Sequence, residues 1–175
     1  MMRSKDCRLT PKRVNSMDLH AKKILLQRIP NGLYIVGLKH GKRVHAFSGS
    51  WLTQISMKPP MVMLGVRQDS KAFGFVKRGR SISLNFVSKH GKNMIQFFFK
   101  PCKAQDNFFG DYAFVKDKTG APIFKDAIGY LECRVKKVVT RFGDHAAVFA
   151  EVTNAKLRSD LEPLILADTP WHYGG

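Results

Sequence analysis

Ser50-Trp51-Leu52-Thr53-Gln54-Ile55-Ser56-Met57-Lys58-Pro59-Pro60 sets hydroxyl and amide side chains along an extended segment that two prolines then stop. Proline brings no N–H to a ladder, so the run reads as a strand at the edge of a sheet, ended at Pro59. Ser50, Thr53 and Gln54 can both donate and accept hydrogen bonds, and an edge strand leaves main-chain N–H and C=O groups open. Such a strand end suits a planar heterocycle with a phosphate tail. On this segment alone, a ligand site and a plain polar edge strand read equally well.

The next residues extend the pattern. Met61-Val62-Met63-Leu64-Gly65-Val66 is an apolar strand, followed by Arg67-Gln68-Asp69-Ser70-Lys71 and a short helix over Lys71 to Arg78, closed by Gly79. Ser70 is positioned to cap that helix, whose first N–H groups and positive dipole end favour an anion, and Lys71 adds a point charge. A capped surface helix is the commoner use of such a sequence. Here, however, two segments able to bind a ligand are joined by one strand, so a single ligand can span them.

Elsewhere the patterning is mostly that of strands. Gly32 to Lys39 and Lys42 to Phe47 read as a hairpin across His40-Gly41, and Ser81 to Val87 as a further strand. Ile128 to Val138 alternates, with Leu131, Cys133 and Val135 on one face and Glu132, Arg134 and Lys136 on a wet face, and a turn at Phe142-Gly143-Asp144 pairs it with Ala146 to Ala155. Leu19, Lys22 to Leu26 and Arg28 form a short amphipathic helix ending before Pro30. Lys92 to Phe99 is helix-compatible, with Phe97-Phe98-Phe99 turned to core or a partner subunit. Lys100 to Ala127 reads as a long irregular stretch carrying Phe108, Phe109, Tyr112 and Phe114, suited to a cover or a dimer contact. Strands outnumber helices and βαβ spacing is missing, which predicts a mainly β fold: an antiparallel barrel with a few peripheral helices.

Order and spacing together resemble the flavin reductase-like family, in wording closest to a microbial, cyanobacterial branch. The resemblance runs from about Met17 to the C-terminus. It rests on Ser50 to Ser56 with Pro59-Pro60, Ser70-Lys71, Ser83-Leu84-Asn85-Phe86, Tyr130 to Val135, Gly143-Asp144-His145 leading into Val148 to Val152, and the Tyr173-Gly174-Gly175 ending. It implies an FMN-binding split β-barrel with Ser48, Ser50, Trp51, Leu52, Thr53 and Gln54 along the flavin and its ribityl chain, Ser70 and Lys71 at the phosphate, and Asn85 nearby. His145 is then the catalytic-site residue, near the flavin face where a nicotinamide docks. Three positions depart from the family pattern: Ala72 stands where many members carry threonine, Ala150 where glycine is usual, and Lys58 where an acidic or amide residue commonly precedes the prolines. A homodimer is implied as well, as is a protein or small-molecule electron acceptor.

Composition bounds the alternatives. The 175 residues, 44% hydrophobic, suffice for one core, with residues 1 to 16 as a basic tail and 17 to 175 as the domain. Cys7, Cys102 and Cys133 are odd in number and widely spaced, and the six histidines lack close ligand spacing, so neither a disulfide framework nor a metal site is expected. Apolar runs are too short for a membrane span and a signal-type segment is not evident, which predicts a cytoplasmic protein. Neither a G-x-G-x-x-G fingerprint nor a phosphate-binding P-loop occurs, so NAD(P)H must bind without a Rossmann unit, laid on the flavin. Thirty Lys and Arg against 13 Asp and Glu leave a charge of +17; residues 1 to 28 hold eight basic and two acidic residues, so the excess is spread along the chain. That spread fits general attraction of anions better than a dedicated nucleic-acid arm, and specific nucleic-acid recognition is not expected. The expected activity is hydride transfer from NAD(P)H to FMN. A non-catalytic FMN-binding electron carrier or redox sensor is the alternative, and a basic polyanion-binding module on the same barrel is a third.

Overall fold

The computed structural model describes residues 16–78 and 81–175, the last two residues of the first range by backbone alone. The basic segment 1–16 therefore lies almost wholly outside the described residues. Strands run over Tyr34–His40 (β1), Arg43–Gly49 (β2), Leu52–Met57 (β3), Pro60–Arg67 (β4), Ser81–Phe86 (β5), Phe108–Phe109 (β6), Tyr112–Val115 (β7), Ile123–Phe124 (β8), Gly129–Val139 (β9) and His145–Leu157 (β10). Helices span Leu19–Gln27 (α1), Lys71–Arg78 (α2) and Lys92–Phe97 (α3). Among the described residues, no helix is long and apolar enough to cross a membrane.

The chain divides into two units. In the first, Asp18 caps α1, its carboxylate accepting from the His20 and Ala21 N–H groups at 2.9 and 3.0 Å, and the Gln27 amide donates to the Gly174 carbonyl at 3.0 Å. Arg28 ends the helix two residues ahead of Pro30, whose missing N–H stops further winding.

The second unit, Pro30–Tyr173, is built on a seven-stranded antiparallel sheet of order β2-β1-β5-β9-β10-β4-β3. Its two edges come from successive strands, joined only by Ser50 and Trp51. Laid flat, seven strands would hold β2 and β3 about 29 Å apart, whereas this link reaches about 10 Å. The sheet must therefore curl until its edges face each other, a barrel left split between β2 and β3. Gly41 takes a φ of 59° in the β1–β2 hairpin, and α2 lies between β4 and β5 in the chain, as expected from the sequence.

Alternation then sorts side chains into two cores. Inside the barrel lie Val36, Leu38, Val62, Leu64, Val66, Ile82, Leu84, Cys133, Val135, Val148 and Ala150, with Ala72 and Val76 of α2. Ala72 is thus a core residue, 3% exposed, and Ala150 belongs to the same core at 2%. Burial pushes the Cys133 thiol up to about 12, which makes it an inert core group. Outside, Ile35, Ala46, Val87, Ile95, Phe98, Phe109, Phe114, Phe124 and Leu164 form the second core under α3.

Two expectations are corrected here. Residues 100–127 are irregular only in part: β6, β7 and β8 form a three-stranded sheet within them, whose Phe109, Phe114, Ile123 and Phe124 are almost wholly buried. These short strands lack the long alternation that marks a strand in sequence, and it is aromatic burial against the outer sheet face that holds them. Nor does Glu132 face water; it is 0% exposed. The 117–124 segment covers this part of the outer face, and Thr119 donates to Glu132 Oε1 through its N–H (2.8 Å) and hydroxyl (2.6 Å), while Asn154 donates to Oε2 at 2.7 Å.

Candidate functional site

Residues from four separated segments meet where β4 and β10 pair. Their register sets His145 opposite Arg67, and Gln68 fastens the 140–144 turn to the end of β4. The Gln68 N–H donates to the Asp144 carbonyl at 3.0 Å, and its amide donates to the carbonyls of Thr140 (2.8 Å) and Gly143 (2.6 Å). Arg67 clamps Asp69 through two parallel hydrogen bonds, at 3.0 and 2.5 Å, and that pairing lowers the Asp69 pKa. A cleft of about 330 Å³ lies here, lined by Arg67, Gln68, Asp69, Gly143 and Asp144.

Beside it α2 begins. The Ser70 hydroxyl donates to the Arg67 carbonyl at 2.7 Å and accepts from the Phe73 N–H at 3.2 Å, the N-cap arrangement expected from the sequence. Lys71, in the first turn, is exposed and belongs to none of the ion pairs found among the described residues. Its charge reaches His45, a 7% exposed imidazole stacked on Phe75, whose pKa is lowered first by burial and then by Lys71.

Trp51 covers the other side. Its carbonyl accepts from the Gly65 N–H at 2.8 Å, and its indole lies on Gly65 so closely that a Cβ there would meet it at 3.0 Å. The indole in turn packs on His145, with ring centroids 4.4 Å apart, and meets the edge of Tyr173 at 5.2 Å. His145 Nδ1 lies 2.7 Å from Asp144 Oδ1, and Nε2 lies 2.7 Å from the Tyr173 hydroxyl. The hydrogen bond from His145 is the main cause holding the Asp144 carboxyl below the ordinary carboxylate range.

The structure thus gathers Trp51, Ser70, Lys71 and His145 around β4, with the buried Ser50 in the adjoining link. Leu52 packs partly into the barrel, whereas Thr53 and Gln54 are exposed on β3, whose outer edge is unpaired in the sheet order. Two expected residues are engaged elsewhere. The Ser48 hydroxyl donates to the Ile95 carbonyl of α3 at 2.6 Å. Asn85 is 0% exposed; its amide nitrogen donates to the Ile35 carbonyl at 2.9 Å and its oxygen accepts from the Phe124 N–H at 2.9 Å, so it ties the outer layer to the barrel. Both face the outer core because their positions along the pleat are out of phase with the barrel interior. Tyr173, Gln68 and Arg67 were not singled out as site residues in sequence. Tyr173 entered the sequence reading only through the Tyr173-Gly174-Gly175 ending on which the family resemblance rests.

A split antiparallel barrel with an open polar edge strand beside a capped helix start defines the flavin-reductase class of fold. NADH:FAD oxidoreductase SgcE6 of Streptomyces globisporus shares it, with a TM-score of 0.75 at 19% identity over 87% of this chain and 89% of that one. The chain belongs to the flavin reductase like domain family, which matches residues 26–174. Among relatives, it is 30% identical to diflavin flavoprotein A 1 of Synechocystis over 151 residues, 83% of this chain and 25% of that protein. It is also 23% identical to the NADH:FMN oxidoreductase of Rhodococcus qingshengii over 137 residues, 78% of this chain and 70% of that one. The chain therefore spans about a quarter of the length of the diflavin flavoprotein.

Proposed function

We propose that this protein is an NAD(P)H-dependent flavin reductase that binds FMN along the β3 edge, with the phosphate at the start of α2. The observation that carries the reading is the convergence of the tilted Trp51–His145 ring contact and the Ser70-capped helix start at the two sides of β4. The residues present fit the group. Thr53 and Gln54 expose polar side chains on an edge with open main-chain groups, and Lys71 offers an exposed ammonium beside the first-turn N–H groups. Bound FMN would supply the flavin N5 that accepts a hydride from a dihydronicotinamide.

The chain's own contribution is binding and alignment. Lys71 neutralises the phosphate at the helix start that Ser70 caps, Thr53 and Gln54 hold the polar flavin edge, and His145, 15% exposed at its side chain, faces the docking nicotinamide. Family membership and the named activity of the Rhodococcus relative support this role. A homodimer is part of the same reading, supported by the exposed Phe97, Phe99 and Phe108 beside the outer core, and a cytoplasmic location is proposed with it.

Anaerobic visible spectroscopy tests it. FMN-loaded protein is expected to lose its flavin absorption when NADH or NADPH is added. Bands that persist with both nucleotides would assign an electron carrier or redox sensor, and failure to take up FMN would overturn the flavin reading.

A further inference from the structure

We infer that Tyr173 is a positioning residue that, with Asp144, fixes His145 in one tautomer and one orientation against Trp51. The inference rests on the reading of His145 as the nicotinamide-facing group. An ionised carboxylate can only accept, so Nδ1 of His145, 2.7 Å from Asp144 Oδ1, must carry the proton. In the neutral ring Nε2 is then an acceptor, and the Tyr173 hydroxyl at 2.7 Å donates to it. A half-turn of the imidazole would put carbon atoms at both positions and lose both bonds.

The tyrosine is itself held. Its ring meets Trp51 edge-on, and the segment leading to it is anchored: the Thr169 hydroxyl donates to the Leu166 carbonyl at 2.7 Å, the Trp171 N–H donates to Thr169 Oγ1 at 3.2 Å, and the Trp171 ring packs on Phe99 with centroids 4.8 Å apart. The segment from Leu166 to Tyr173 thus adds a fourth piece to the site formed by Trp51, the end of β4 with the start of α2, and the start of β10. With Nδ1–H committed to Asp144 and Nε2 to Tyr173, the group that His145 and its partners offer to a docking ring is the Tyr173 hydroxyl oxygen, an acceptor matched to the N–H donors of a carboxamide.

Long-range ¹H–¹⁵N correlation spectra of the flavin-free full chain test the geometry without turnover. Wild type is expected to show a protonated Nδ1 and an unprotonated Nε2 shifted by an accepted hydrogen bond. In Tyr173→Phe, which deletes one hydroxyl, Nε2 moves to the value of a free ring nitrogen while Nδ1 stays protonated; in Asp144→Ala the two nitrogens average as tautomers mix. Identical Nε2 shifts in wild type and Tyr173→Phe, or protonation at Nε2 in wild type, would overturn the inference. In steady-state kinetics Tyr173→Phe is expected to raise the nicotinamide KM about fivefold with FMN affinity unchanged. An unchanged KM would overturn the link to the donor. Wild-type protein that never oxidises NADH or NADPH would sink the reductase reading, and the spectra would still decide the tautomer.

Discussion

Lys71 is the side chain whose role separates most cleanly from its surroundings, because it is exposed and outside every ion pair found among the described residues. If it holds a phosphate, Lys71→Ala should weaken FMN about tenfold and riboflavin hardly at all, as read by fluorescence titration of both. Equal losses would remove Lys71 from the phosphate site. His45, behind it, carries a pH signature. Burial and Lys71 keep its imidazole below 6.5, so as pH falls through 6.5 the unfolded chain takes up a proton before the folded one does. Stability is therefore lost on acidification, starting near the unfolded value and levelling off below the lowered folded one. His45→Phe should flatten urea-unfolding stability between pH 7.5 and 5.5 relative to wild type; parallel curves would show that His45 does not contribute to the acid response.

At the level of elements, polar contacts from Ser83, Asn85, Tyr130, Glu132, Asn154 and Arg158 tie the outer layer to the main sheet, and Glu132 is the most exacting. Its buried carboxyl group takes two hydrogen bonds from Thr119 and one from Asn154. Thr119→Ala deletes one donor from a site that water does not reach, and should cost about 1–3 kcal/mol in urea unfolding. An unchanged midpoint would show that the remaining bond from the residue 119 N–H satisfies Oε1 without the hydroxyl. Gly65 plays the corresponding part on β4, where the indole of Trp51 occupies the space of a side chain. Gly65→Val should lift Trp51 from the strand and change its fluorescence, with nicotinamide oxidation falling because the Trp51–His145 ring contact is broken. Fluorescence and turnover both equal to wild type would show that the contact needs no glycine.

For the molecule as a whole, a charge of +17 sets how it meets polyanions. Any affinity for a short DNA duplex at 50 mM salt should fall about a thousandfold by 200 mM and should not depend on sequence. Retention with a sequence preference at 200 mM would establish nucleic-acid recognition of its own. The sequence alone determined what repeats locally: the alternation of Ile128 to Val138, the glycine of the His40-Gly41 turn, the prolines that end β3, and the serine that caps α2. Each of these depends on period, backbone freedom or a side chain two or three residues away. Tertiary structure alone decided which outward-facing polar residues become buried, as Glu132 and Asn85 did beneath the 117–124 segment. It also brought Tyr173 to His145, 28 residues back along the chain. A contact of that kind is made by how the sheet curls and where the last segment crosses it, and no local pattern encodes the distance.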